Sequence, residues 1–185
     1  EESEETFEHT AAEILRTIDR AKGNKDIPFS VFKTTGIMSS EVLEKVSELI
    51  IKKEIQDIDL IENQLNHDQQ GDWKRGYVRF MNLCETAAQS KVQIFVDAEE
   101  TWLQPAIDMM ATHAMQQFNQ ETAWIFNTLQ MYRHDRLAYL QNQVAEKKCK
   151  YGYKLVRGAY MEKERARAQK LGYQDPIQPN KEATD

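Results

Sequence analysis

The chain has 185 residues, enough for one domain with a sizeable core, and its 41% apolar and 29% charged residues are the balance of a folded globular protein rather than a disordered one. The net charge of −6, with Lys and Arg scattered apart from a small group at Arg157, Lys163, Arg165 and Arg167, argues against a nucleic-acid surface. No run of about 18 apolar residues is present to span a bilayer. The acidic start Glu1-Glu2-Ser3-Glu4-Glu5 is neither a signal nor a transit peptide, though a longer precursor could have lost either.

Phe7, Ala11, Ile14, Leu15 and Ile18 recur at helical spacing, which predicts an amphipathic helix over about residues 4–21, ended by Gly23-Asn24. Residues 27–34 are short, β-branched and aromatic, a strand with Pro28 near its start. Ser39 or Ser40 can cap a second helix whose inner stripe is Val42, Leu43, Val46, Leu49 and Ile50. Residues 52–71 are polar; a helical piece is expected around Ile55–Leu60, then a loop through Gly71. A helix over about 72–90 leads into the strand Val92–Asp97, and Pro105 suits the first turn of a helix reaching Gln117. Trp124–Leu129 reads as a third strand, His134–Lys147 as a helix, Tyr153–Val156 as a fourth strand, and Met161–Leu171 as a helix stopped by Gly172. The tail, with Pro176 and Pro179, reads as loop.

A helix followed by four strand–helix repeats predicts an α/β fold, because strands joined by crossover-length connections pair in parallel. No internal sequence repeat and no composition shift marks a second domain. A closed barrel of this kind needs eight strands and about 250 residues. Residues 1–185 are therefore expected to be the central portion of a larger, TIM-like (β/α)8 barrel domain.

The segment Tyr153-Lys154-Leu155-Val156-Arg157-Gly158-Ala159-Tyr160 brings a cation, a flexible backbone and an aromatic hydroxyl together at the carboxyl end of a strand. Active sites of strand–helix barrels are built at that end. Lys33, Asp97, Gln130, Lys154 and Tyr160 all fall on or just after strands, so parallel pairing projects the five toward one rim. Burying them there without a ligand would leave charges to neutralise. Asp97 ends a strand that carries four apolar residues, Val92, Ile94, Phe95 and Val96, and needs a cationic partner at the core's edge; Lys33 on the neighbouring strand is the expected one. Glu99 and Glu100 read as carboxylates favoured by a helix start.

Other features read as structural. Met109, Met110 and Met115 read as core filling, Trp102 and Trp124 as packing residues, and residues 162–168 as a solvated helix face with Glu–Arg pairs. Cys84 and Cys149 read as free buried thiols, and His9, His67, His113 and His134 show no metal-ligand spacing. No glycine-rich dinucleotide or phosphate loop and no nucleophile elbow is present.

At these rim residues the chain resembles proline dehydrogenase, both its monofunctional mitochondrial-type and bacterial forms and the corresponding domain of the proline utilisation A proteins. The matching stretches are residues 31–34, 96–101, 125–132, 154–160, 164–168 and 172–177, in the family's order and spacing over about residues 25–185. The resemblance implies a distorted (β/α)8 barrel with FAD at the strand ends. It implies oxidation of L-proline to 1-pyrroline-5-carboxylate, electrons passed to a membrane quinone, and a parent protein able to lie peripherally on a membrane. A bacterial parent would be cytoplasmic or peripheral on the inner membrane, and a eukaryotic one mitochondrial. By the same resemblance Lys33 looks like the lysine that holds the substrate carboxylate and Tyr160 like the tyrosine near the substrate pocket. Asp97 and Lys154 look like catalytic residues at the flavin. Asp97, Ala98, Gln130, Lys154, Val156, Arg157, Gly158 and Ala159 look like the cofactor contacts, with no metal among them. Compared with the family, the first strand, the last three strands and the final helix with its paired arginines are not in this stretch. A half-barrel of this extent is expected to be inactive alone and prone to self-association through its open edges. Two further readings stand beside this one: a non-catalytic half-barrel interaction module, and another barrel enzyme, such as a phosphate-handling one, with a converged rim.

Overall fold

The computed structural model describes residues 2–55 and 57–185; Glu1, in the acidic start, and Gln56, inside the helical piece expected at 55–60, lie outside them. In chain order the elements are α1 (Glu4–Ala21), β1 (Phe29–Phe32), a 3-10 turn (Thr34–Gly36), α2 (Ser40–Lys53), α3 (Ile58–Glu62), α4 (His67–Gln89), β2 (Gln93–Val96), α5 (Gln104–Phe118), β3 (Ile125–Gln130), α6 (Arg136–Ala145), β4 (Tyr153–Val156) and α7 (Met161–Leu171). All four expected strands are present: β1 and β2 are shorter at both ends than expected, β3 is shifted by one residue toward its carboxyl end, and β4 has the expected bounds.

Caps explain several boundaries. The Ser3 side chain accepts from Thr6 N–H and starts α1. Ser39 occupies the cap position of α2, but it is the Glu2 carboxylate that accepts from Ser40 N–H, at 3.2 Å. The loop expected through Gly71 is shorter than its polarity suggested. Asn66 and Gln69 form a reciprocal capping box, which satisfies two otherwise orphaned donors and lets α4 begin at His67. Gly172 closes α7 in the left-handed conformation.

The strands pair in parallel in the order β1-β2-β3-β4, with β1 and β4 at the edges. Because the order advances one strand at a time in one direction, right-handed crossovers return every helix to the same face. That is how a (β/α)8 barrel is built, and here the sheet is an open arc of one.

Alternation sorts the strand residues. Phe32, Ile94, Val96 and Ile125 are buried under the helices, in one cluster with Trp73, Phe80 and Leu83 of α4 and Ile107, Met110 and Met115 of α5, and Leu129 is buried as well. Phe29 and Val31 on the opposite face are exposed, and Phe95 and Phe126 are half-buried. Phe29 stacks on Phe95 with centroids 4.5 Å apart, and Phe95 meets Phe126 edge-on at 5.3 Å. Met109, Trp102 and Trp124 pack against the core from its border. Both cysteines are free, but only Cys84 is fully buried; Cys149 is half-buried, in the polar connection between α6 and β4. Among the described residues no helix is long and apolar enough to cross a membrane, and no group of three His, Cys, Asp or Glu is placed to hold a metal.

Candidate active site

Register sets the rim. Phe32 pairs with Val96 and Val96 with Asn127, so Lys33 and Asp97 leave their strands side by side, and Asp97 N–H donates to the Phe32 carbonyl at 2.9 Å. Lys154 pairs with Thr128 on the uncovered face of the sheet, its Nζ lying 5.3 Å from the centre of the Phe95 ring.

Asp97 takes Lys154, not Lys33, as its ion-pair partner. The reason is directional: Lys154 rises from within β4 along the same face as Phe95. Lys33 stands beyond the end of β1, and its Nζ lies 5.9 Å from the centre of the Tyr160 ring. Lys163 Nζ lies 5.7 Å from that ring centre as well, and donates to the Glu100 carboxylate at 2.9 Å. The Lys33 ammonium is held above the usual lysine range, first by its interaction with the Tyr160 hydroxyl and, with burial opposing, by the charges of Glu99 and Asp97.

The turn after β4 is built on Tyr132. Tyr132 N–H donates to the Arg157 carbonyl at 2.8 Å, and Tyr160 N–H donates to the Tyr132 hydroxyl at 3.2 Å. Gly158 has φ +145°, and a Cβ there would overlap the Tyr132 ring. Burial pushes the Tyr132 phenol up to about 12. Gln130 is committed on both sides of its amide: Nε2 donates to the Glu99 carbonyl at 2.8 Å and Oε1 accepts from Ala159 N–H at 3.0 Å. Ala98 is buried just after Asp97, and Val156 is half-buried on the uncovered face. The Arg157 guanidinium is exposed and makes a two-point pair with Asp185 at 2.7 and 2.8 Å. Lys33, Asp97, Lys154, Gln130 and Tyr160 are thus brought to one rim, whereas the Arg157 side chain is engaged at the β4 edge.

Glu99, read from sequence as a carboxylate at a helix start, and Glu164, read as part of a solvated helix face, are both buried. Glu99 is 3% exposed and grips Thr35; Glu164 is fully buried and accepts from Thr101 N–H at 2.7 Å and the Thr101 hydroxyl at 2.5 Å. The carboxylates of residues 97–100 precede α5 in a loop rather than opening it, since α5 begins at Gln104. Arg165 pairs with Asp175 and Arg167 with Glu44, so residues 162–168 tie α7 to the rest of the fold. Only the contacts of α7 with α2 and with distant loops reveal this; its helical spacing carries no sign of it.

A cavity of about 1280 Å³ lies elsewhere, on the helical side around α5 and α6, and none of the five rim residues lines it. We place the site at the rim, where the cations and the aromatic face converge. The Lys154 ammonium over a partly open Phe95–Phe126 face, with the Lys33 ammonium over Tyr160 on the same rim, suits a planar, electron-rich ring or an anion.

A family model described as proline dehydrogenase matches residues 1–185. The chain belongs to the proline dehydrogenase family. It is 44% identical over 128 residues to "Proline dehydrogenase 1, mitochondrial" of Caenorhabditis elegans, covering 68% of this chain and 21% of that protein. It is 30% identical over 199 residues to a hydroxyproline dehydrogenase of Xenopus laevis, covering 98% of this chain and 42% of the relative. Among solved structures, proline utilization A from Bdellovibrio bacteriovorus superposes with a TM-score of 0.72 at 15% identity, over 98% of this chain and 19% of that one, a likeness of fold. The chain therefore spans less than half the length of these relatives, between 19% and 42%.

Proposed function

We propose that the parent protein of this chain oxidises L-proline to 1-pyrroline-5-carboxylate in proline catabolism, with FAD as cofactor. The chain is read as the central portion of the barrel. Family membership supports the reaction class, and the observation that carries the reading is the convergence of Lys33, Lys154, Asp97 and Tyr160 on one strand-end rim over an uncovered aromatic face.

The flavin, when bound, supplies the acceptor for the hydride that leaves the ring carbon beside the proline nitrogen. The chain's own residues bind and orient. Lys33 holds the substrate carboxylate as a point cation, with Tyr160 packing beside it; fixing the ring in this way lowers the entropic part of the barrier. Lys154 and Asp97 would hold a paired cation and anion near a bound flavin, where the cation would favour the more negative reduced form. Gln130, Ala98 and the turn of Val156, Arg157, Gly158 and Ala159 shape the edge against which the cofactor lies; Gln130 contributes by bracing that turn. Electrons then pass to a quinone, with the parent peripheral on a membrane. Its location is cytoplasmic or at the inner membrane in a bacterium and mitochondrial in a eukaryote. Three animal relatives, from Caenorhabditis elegans, Drosophila melanogaster and Homo sapiens, are named as mitochondrial.

The 185-residue chain alone is proposed to retain little or no FAD and to turn over no proline, because four strands leave the sheet open. Its open edges at β1 and β4 favour self-association. The test is a version extended to barrel length, loaded with FAD and passed through gel filtration. Yellow colour that stays with the protein, and dye reduction that depends on L-proline, are expected. Colourless protein without proline-dependent reduction would end the enzyme reading in favour of a half-barrel interaction module. The Xenopus relative's name makes hydroxyproline the necessary second substrate in the assay.

A further inference from the structure

Glu99, in the loop after β2, spends both carboxylate oxygens on one residue of the preceding loop. Oε1 accepts from Thr35 N–H at 3.0 Å, and Oε2 accepts from the Thr35 hydroxyl at 2.6 Å. Its own backbone is pinned as firmly: the N–H donates to Gln104 Oε1 at 2.8 Å, and the carbonyl accepts from Gln130 Nε2 at 2.8 Å. Through Gln130 Oε1 and Ala159 N–H the same set of bonds reaches the turn after β4. One connected network therefore joins the carboxyl ends of all four strands, with Glu99 at its centre. Thr35 lies in the 3-10 turn that follows Lys33 directly, and Gly36 N–H closes that turn on the Lys33 carbonyl at 3.0 Å.

A neutral acceptor would have served to hold the turn. A buried carboxylate is costly, and burial pushes the Glu99 carboxyl above its usual range against the two Thr35 bonds. What a carboxylate adds is a negative charge close to Lys33. We propose that Glu99 is a positioning residue for Lys33: its two-point grip on Thr35 fixes the turn on which Lys33 stands and aims the ammonium over Tyr160. This rests on Lys33 being the group that receives the substrate carboxylate.

The test separates the two ideas. The lysines of the 185-residue chain are reductively methylated with a carbon-13 label, the Lys33 signal is assigned with Lys33→Arg, and its titration is followed by NMR. Glu99→Gln is expected to lower the Lys33 midpoint by roughly 0.3–1 unit, the size of a screened charge at short range, while Lys148, paired with Glu146, does not move. Thr35→Val, which keeps the charge but removes the hydroxyl donor, is expected to give a smaller shift in the same direction and serves if Glu99→Gln folds poorly. In the barrel-length enzyme Glu99→Gln should raise KM for L-proline about tenfold and change kcat less than about threefold, a loss of binding rather than of chemistry. An unmoved Lys33 midpoint in both variants overturns the proposal. A shifted midpoint in a barrel that turns over no proline overturns the functional reading alone and leaves Glu99's hold on Lys33 established.

Discussion

Lys154, from within β4, reaches past β3 to pair with Asp97 at the end of β2. Their side chains are 29% and 27% exposed, so the pair is neither a screened surface contact nor a fully desolvated one. Removing one partner leaves the other half-buried, Lys154 above the Phe95 ring. A double-mutant cycle with Asp97→Asn and Lys154→Met should return a coupling of about 1–2 kcal/mol by urea unfolding. A coupling near zero would mean the two groups are solvated independently and give the rim no rigidity.

Lys33 sits beside an aromatic ring and, among the described residues, takes no carboxylate within ion-pairing reach, which suits a group kept for a ligand. In the barrel-length enzyme Lys33→Ala should raise KM for L-proline by about tenfold to a hundredfold, the effect of losing a charged contact of roughly 1.5–3 kcal/mol, while FAD content stays near that of the parent. Equal loss of FAD and of substrate binding would make Lys33 a structural residue.

Gly158 combines a positive φ with a Cβ position occupied by the Tyr132 ring. Gly158→Ala meets both obstacles and should destabilise the chain by about 2–4 kcal/mol in urea unfolding. Gly23, also at positive φ but with nothing within 4 Å of its Cβ position, isolates the backbone part; Gly23→Ala should cost about 1 kcal/mol. Equal costs at the two sites would show that the Tyr132 contact contributes nothing.

Glu164 and Glu162 differ by two positions in α7 and by everything in environment. Glu164→Ala strips two acceptors from Thr101 and should cost about 2–4 kcal/mol, whereas exposed Glu162→Ala should fall within about 0.5 kcal/mol of the parent. Thermal unfolding of the two variants side by side distinguishes them.

Asp135 accepts from Arg133 and Arg136. Burial opposes its ionised form, but the two guanidinium groups outweigh it and hold the carboxyl below its usual value. Between that lowered value and the ordinary one near 3.8, the unfolded chain binds more protons than the folded one. The stabilisation is therefore fully present above the ordinary value and is lost as pH falls through the folded one. Asp135→Asn should lie below the parent in thermal midpoint at neutral pH, with the gap narrowing below about pH 4. A gap independent of pH would assign the effect to packing.

Much of the rim was legible because strand ends are. Short segments rich in β-branched and aromatic residues locate β1 to β4, and whatever polar residue follows such a segment in a parallel sheet stands on one rim. Lys33, Asp97 and Gln130 were found in that way. The start of α4 was missed because Asn66 and Gln69 look like loop residues until their reciprocal bonds are seen. The partner of Asp97 was misassigned because proximity in strand order favoured Lys33, whereas side-chain direction favours Lys154.

From the sequence by itself came the alternation of strand and helix, the parallel sheet, the polar residues at its carboxyl ends and the family, since these depend on local periodicity and on residue order. Tertiary structure alone decided which carboxylate holds which group: Asp97 the Lys154 ammonium, Glu99 the turn beside Lys33, Glu164 the loop at Thr101. Those choices join residues 57, 64 and 63 positions apart. At such separations a carboxylate's partner is set by where the packed helices carry it, and an exposed Glu is spelled the same way as a buried one.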